Sequence, residues 1–486
     1  MYKKNRNRQI SFSDFNQPMG LKMNPENRWV KRANMIPWTD IEDKYAKLFP
    51  SHTGMPAKPL RTALGSLIIQ KQLNFSDEEL VEQLRENPYF QYFIGLPGFQ
   101  DKRPFVPSLL VEFRKRLSDD ILGEINEMIL AYNSDDDDPN PGGGGSDDTT
   151  ETSANNGTMI LDATCAPQNI SFPTDVNLLN EARENLEKMI DGICESNSEV
   201  KPRTYRKVAR KKYLQLAKAK KPGNKRIRKA IKQQLQYVRR DLAYIENYLE
   251  KGFALSQKQL ERLSVIQKLY EQQLQMYESK THQVADRIVS ISQPYIRPIS
   301  RGKLKAPTEF GAKFDISLDH KGLARTERIS FHAYNESTVL KEAVERFRGR
   351  NGFYPEAVLA DKIYRNRENI AYCKENGIRL SGPPLGRPPK NLPKDHGFAY
   401  RDNADRVAVE RAFSLAKRCF GLNCIRTKRE DTTKGSIALA IIMLNLNQLA
   451  RVSFLPYVIS IFSKYKQRLI SLIYVQNGDA ALTTCY

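Results

Sequence analysis

Residues 134–157, a stretch able to bury almost nothing, divide the sequence in two. They contain no aliphatic side chain except Ala154, carry seven acids and no base, and include a run of four glycines. Such a segment cannot offset its ordering entropy by burying apolar area, so an acidic, Gly-rich linker is expected there. Each flank is left to build its own core, and the two can stand well apart. At 486 residues there is room for two or three domains, and 40 % hydrophobic residues supply a core for each.

Before the linker, residues 58–73, 77–86 and 108–130 place apolar side chains at helical spacing. Ser76 followed by Glu79 has the form of a capping box. Residues 1–133 are therefore expected to form an all-α domain. Short helices joined by turns suit either a helix-turn-helix that binds DNA or a dimerisation module, and the sequence does not choose between them.

After the linker the pattern changes to strands. Residues 158–162 read as an apolar run ending in Asp162, with residues 168–172 as its hairpin partner. Long helices with few glycines follow over residues 178–282, an insertion of roughly 178–285 in a domain spanning 158–453. Strands resume at residues 287–291, 313–318 and 327–331. A helix over 338–347 leads into the run 357–361, which ends in Asp361, then come a helix over 367–376 and a short strand at 378–380. Five prolines and two glycines make residues 381–393 a loop, and residues 403–420 and 434–452 are helical. Residues 452–475 are interrupted by Ser463, Lys464, Lys466, Gln467 and Arg468, which suits an amphipathic tail over 454–486 and not a membrane span.

Charge restricts the partner. Lys and Arg outnumber Asp and Glu by 77 to 56, giving +21, and without the seven linker acids the rest carries +28. Such an excess calls for a polyanion: nucleic acid or an acidic membrane surface. It concentrates at residues 201–240, which hold seventeen Lys or Arg and no acid. Lys201, Arg203, Arg206, Lys207, Arg210, Lys211, Lys212, Lys225, Arg226, Arg228 and Lys229 are the expected phosphate-binding residues of this patch. Six cysteines without a CxxC pair and only five histidines argue against structural zinc and a disulfide scaffold. The polar N-terminus lacks the apolar core of a secretory signal, so a reducing cytoplasm is expected.

Asp162 and Asp361 each directly follow an apolar run, at what would be the carboxyl end of a buried strand. In a sheet flanked by helices that edge is where sites are built, and two acids on adjacent strands can share a divalent cation. Taken singly, a strand-terminal Asp can equally cap a turn. The third feature is the run of residues 406–417, in which Arg406, Glu410 and Lys417 lie about one and two helical turns apart and project from one face. An exposed Arg–Glu ion pair would explain the first two. An acid flanked by bases is also what a site binding both metal and phosphate needs.

With these residues the chain resembles the DDE transposases of bacterial insertion sequences, whose third signature is Arg, three residues, Glu, six residues, Lys. The resemblance extends to LDATCAPQNISFPTDVNLL around Asp162, ADKIYRNREN around Asp361, and the upstream ENPYFQYFIGLPGF and PSLLVEFRKRL. Asn403 stands where members often have Tyr, and Ile363 where they often have Gly. The resemblance implies a mixed α/β fold: an RNase H-like catalytic domain interrupted by the basic helical insertion and preceded by the all-α domain. It implies a DNA transposase with Asp162, Asp361 and Glu410 as catalytic metal ligands for two Mg2+ ions, Mn2+ substituting, and Arg406 and Lys417 on the phosphate. Its partners would be double-stranded DNA, as terminal repeats and target, and a second copy on paired ends, with no membrane, in the cytoplasm at the nucleoid. A catalytically inactive transposase-derived DNA-binding protein and an RNase H-like nuclease acting on other substrates are the alternatives.

Overall fold

The computed structural model describes residues 11–18, 22–47, 56–134, 155–300, 308–383, 385–386 and 396–451. All but the ends of the expected linker, and the expected tail over 454–486, lie outside the described residues.

The first region is helical: α1 (Arg28–Asn34), α2 (Trp38–Ala46), α3 (Leu60–Leu73), α4 (Asp77–Glu86), α5 (Pro88–Phe93), α6 (Leu109–Arg116) and α7 (Asp119–Tyr132). Side-chain oxygens of Asn27, Ser76, Asn87 and Ser118 start α1, α4, α5 and α7, as the backbone donors of a first turn require. Asn27 accepts from Trp29 N at 2.9 Å, and Ser76 from Glu79 N at 3.1 Å. The capping box is only half formed, because the Glu79 carboxylate accepts instead from Gln83 at 2.9 Å. Trp29, Trp38, Phe90 and Phe93 meet edge to face at the centre.

The second region holds a mixed sheet of β1 (Thr158–Pro167), β2 (Arg297–Ser300), β3 (Thr308–Leu318), β4 (Ala324–Ser330), β5 (Ala357–Ala360) and β6 (Arg379–Leu380). Its order is β2-β3-β1-β5-β6, with β4 also paired to β3. The pairings of β1, β2 and β4 with β3 are antiparallel, whereas β1–β5 and β5–β6 are parallel. At Gly311, where β3 passes both β1 and β2, any side chain would collide with the backbone of Ala166 and Pro167.

Between β1 and β2 lie α8 (Asp175–Asn197), α9 (Arg206–Ala217), α10 (Asn224–Glu250) and α11 (Gln257–Ser279), with a core of their own that includes Leu179, Ile190, Val238, Ile245 and Ile266. Beyond β4 come α12 (Leu340–Asn351), α13 (Arg367–Glu375), α14 (His396–Cys419) and a helix over residues 430–451, α15.

Helices cover both faces of the sheet, which is why β1 and β5 read as continuous apolar runs and not as alternation. Met159, Leu161, Val358 and Ala360 pack against Leu340, Val344 and Cys373 of α12 and α13. On the opposite face Ile160, Phe314, Ile316 and Leu359 join one core with the amino-terminal helices, α14 and α15. Residues 437–444 of α15 are buried all round, as a helix must be when it is enclosed between two layers. Its Asn445 donates to Asn126 of α7 and to the carbonyl of Ala324 on β4, both at 2.8 Å, and its Ser436 accepts from Lys71 of α3 at 2.7 Å.

Three expectations are corrected. Residues 168–172 do not return as a hairpin; β1 runs on to Pro167, and Gln168 bridges to Ile425. Residues 287–291 form no strand, because Ile288 and Ile291 are taken into the core of the helical insertion. The helical region does not stand apart from the sheet, since α15 gives the two a common core.

Candidate active site

The chain brings Asp162 and Asp361 together through strand register. Four residues on each strand, all buried except Thr158, pair in parallel from Thr158 opposite Ala357 to Leu161 opposite Ala360, and the ladder stops there. The next residue on each strand is an aspartate, so the two stand side by side where β5 ends. β1 itself does not end at Asp162: its antiparallel pairing with β3 continues from Leu161 opposite Ser317 to Pro167 opposite Gly311. The acid pair thus sits at the end of the parallel ladder and not at the end of both strands.

Helix α14 packs across β1 and β5. Val409, Phe413 and Ala416 are its buried stripe, continued by Phe420 just past its end, with Phe413 edge-on to Phe314 of β3. That seating carries Arg406 to 3.9 Å from Asp361 and lets Lys417 Nζ donate to Thr164 Oγ1 at 2.9 Å. Glu410 lies between them along the helix but at its exposed border. Among the described residues no three of His, Cys, Asp and Glu stand close enough to hold a metal ion together. The geometry therefore assembles the aspartate pair and its two bases, and leaves Glu410 at the rim.

Asp162 is half-buried, and burial pushes its carboxyl up to about 6. The Ala163 N–H, which donates to Asp162 Oδ1 at 2.8 Å, and Arg406 oppose that rise; Glu336 and Asp361 add to it by repulsion. Asp361 is more open, 50 % exposed, and accepts from the N–H of Lys362 at 2.6 Å, capping a short 3-10 helix, Lys362–Tyr364.

A second polar layer under this pair was not singled out in the sequence. Asp315 of β3 is fully buried and accepts hydrogen bonds from Tyr364 Oη at 3.1 Å and from Tyr334 Oη. Burial carries its carboxyl up to about 7, against the lowering effect of the two hydroxyls, while Glu336 adds repulsion. Lys313, on the same face of β3, makes an ion pair with Glu336 at 2.7 Å. The signal was the alternation of Lys313, Asp315 and Ser317 with apolar neighbours in a strand whose two faces are both covered.

The basic residues of 201–240 fall on α9, α10, the segment before them and the turn that joins them. Lys207, Arg210, Lys211, Lys225 and Lys229 are exposed and make no ion pair among the described residues. Lys201 and Arg206 are instead tied to Asp191, Arg203 stacks on Tyr205 and Arg228 on Tyr277. Arg226 donates to the carbonyl of Gln215 at 2.9 Å, and Lys212 is half-buried. No helix among the described residues is long and apolar enough to cross a membrane.

Residues 20–116 match a family model described as Transposase domain (DUF772), and residues 358–447 match one described as Transposase DDE domain. The second match contains Asp361, Arg406, Glu410 and Lys417; Asp162 falls outside both. Over 172 residues the chain is 27 % identical to the uncharacterized protein ORF8 in the nfe locus of Rhizobium meliloti, a match covering 34 % of this chain and 73 % of that protein. No solved structure matches the chain significantly.

Proposed function

We propose that this chain, which belongs to the insertion-sequence DDE transposases and is a DNA transposase, cuts DNA at its element's ends and transfers the strands where Asp162 and Asp361 meet. One observation carries the reading: the β1–β5 register that sets the two aspartates side by side beneath Arg406. The mixed sheet, in which three antiparallel strands are followed by two parallel ones, supports an RNase H-like assignment for this region.

The residues present fit a divalent cation. Their donors are hard carboxylate oxygens, and the burial that raises Asp162, with repulsion from Glu336 and Asp361 added to it, is a cost that a cation would relieve. Asp162 and Asp361 would hold it, with Glu410 reaching in from α14; we assign two Mg2+ ions, for which Mn2+ substitutes. When bound, such ions supply an activated attacking oxygen and stabilise a departing 3′ oxygen.

The remaining residues position the DNA. Arg406, beside Asp361, meets the negative charge of the phosphate, and Lys417 does so further along β1, where its bond to Thr164 holds it on the sheet. The exposed bases of α9 and α10 grip the duplex backbone without reading its sequence. We place the protein in the cytoplasm, at the nucleoid, as a dimer on paired ends.

The test is cleavage of DNA carrying the element's own terminal repeats with Mg2+. Asp162→Ala, Asp361→Ala and Glu410→Ala should each abolish cutting and leave DNA binding largely intact. Robust Mg2+-dependent cutting by any one of them removes that residue from the assignment.

A further inference from the structure

Two turns meet beside the aspartate pair. One is the 3-10 helix after Asp361; the other is a 3-10 helix between β4 and α12, Glu336–Val339, whose first residue is an acid. Buried Asn369 of α13 staples them, donating at 2.8 Å both to the carbonyl of Ser337 and to that of Tyr364. From the other side Asn335 accepts from Ser337 N at 3.1 Å. The backbone that carries Glu336 is thus fixed to the backbone that follows Asp361.

The Glu336 carboxylate faces the acid corner. Its charge acts on Asp162, Asp315 and Tyr364. Repulsion there is balanced by one ammonium: Lys313 Nζ stands 2.7 Å from Glu336 Oε1 and also donates to the carbonyl of Tyr334 at 3.1 Å. By contrast Glu410 is exposed.

We infer that Glu336 is a further carboxylate of the cation site, resting on Lys313 when no cation is held and turning to share one with Asp162. This rests on the assignment of Asp162 and Asp361 as cation ligands. The ammonium of Lys313 then stands in for the metal, and the two compete for one carboxylate. Movement is confined to the Glu side chain, because the turn beneath it is held on both sides. Charge is conserved in the exchange: the ammonium loses its partner as the dication gains one, and Lys313 keeps the Tyr334 carbonyl and ring as neighbours.

Opposite signs from the two members of the ion pair provide the test. Mn2+ is titrated calorimetrically into the full chain without DNA, using wild type, Glu336→Gln, Lys313→Met and Asp162→Asn, with the melting temperature of each recorded. Glu336→Gln should weaken Mn2+ binding by on the order of tenfold or more. Lys313→Met should leave it unchanged or tighten it, since the competitor is gone. Were Glu336 only a structural partner of Lys313, both variants would weaken binding alike or neither would; each of those results overturns the inference. If Asp162→Asn binds Mn2+ as well as wild type, the cation assignment itself falls and this inference with it. Loss in Asp162→Asn with no change in Glu336→Gln defeats the inference alone.

Discussion

Replacing Asn445 by alanine should strip stability from the helical region and the sheet at once. Asn445 is fully buried in α15 and makes three hydrogen bonds: it donates to Asn126 at 2.8 Å and to the Ala324 carbonyl at 2.8 Å, and accepts from the Ala324 N–H at 2.7 Å. Truncation leaves the Ala324 N–H and Asn126 Oδ1 buried without these partners, while the Ala324 carbonyl keeps the Asn126 amide at 3.2 Å. At about 1–3 kcal/mol for each of the two orphaned groups, the loss is about 2–6 kcal/mol, a large share of the roughly 5–15 kcal/mol that holds a typical domain. Both tryptophans, Trp29 and Trp38, lie in the helical region, so their fluorescence reports on that region while far-ultraviolet dichroism weighs the whole chain. In urea the wild type should unfold with coincident transitions by the two probes, and Asn445→Ala should shift both to lower urea together. If fluorescence and dichroism separate in the wild type, or the variant moves only one of them, α15 does not unite the two regions.

Further outcomes follow from charge. Neutralising Lys207, Arg210, Lys211, Lys225 and Lys229 together should flatten the log-log salt dependence of DNA binding by roughly 0.9 per lost phosphate contact, about 4–5 in all; an unchanged slope places the DNA elsewhere. Asp241, buried in α10 with neither carboxylate oxygen hydrogen-bonded, is pushed by burial from its usual 3.8 to about 7. The folded chain then holds a proton that the unfolded chain has already released, so stability falls as pH rises from about 4 to 7. Asp241→Asn should match wild type below pH 4 and exceed it at pH 8 by at most roughly 4 kcal/mol; equal denaturation midpoints at both pH values would contradict this.

The acid pair and the shared helix face were legible because both rest on local pattern. Two apolar runs each ending in Asp located the end of the parallel ladder, and the spacing of Arg406, Glu410 and Lys417 put all three on one side of a helix, though not where that helix would seat. What escaped depends on partners distant in sequence. Residues 163–167 are weakly apolar and become strand only because β3, about 150 residues later, pairs with them. Glu336 lies in a turn with no run or period to mark it, and only the staple through Asn369 brings it to Asp361. The pattern over residues 434–452 announced a helix, but not that residues 437–444 would be enclosed between two layers.

That enclosure bears on how the gene could be divided. Because α15 is gripped on one side by α1, α3 and α7 and on the other by β4, the helical region docks by side-chain complementarity, whatever residues join it to β1. Two separate reading frames, one ending after α7 and one beginning before β1, should therefore reconstitute a working protein by complementation. Insertions and deletions in the joining segment should accumulate freely over evolutionary time.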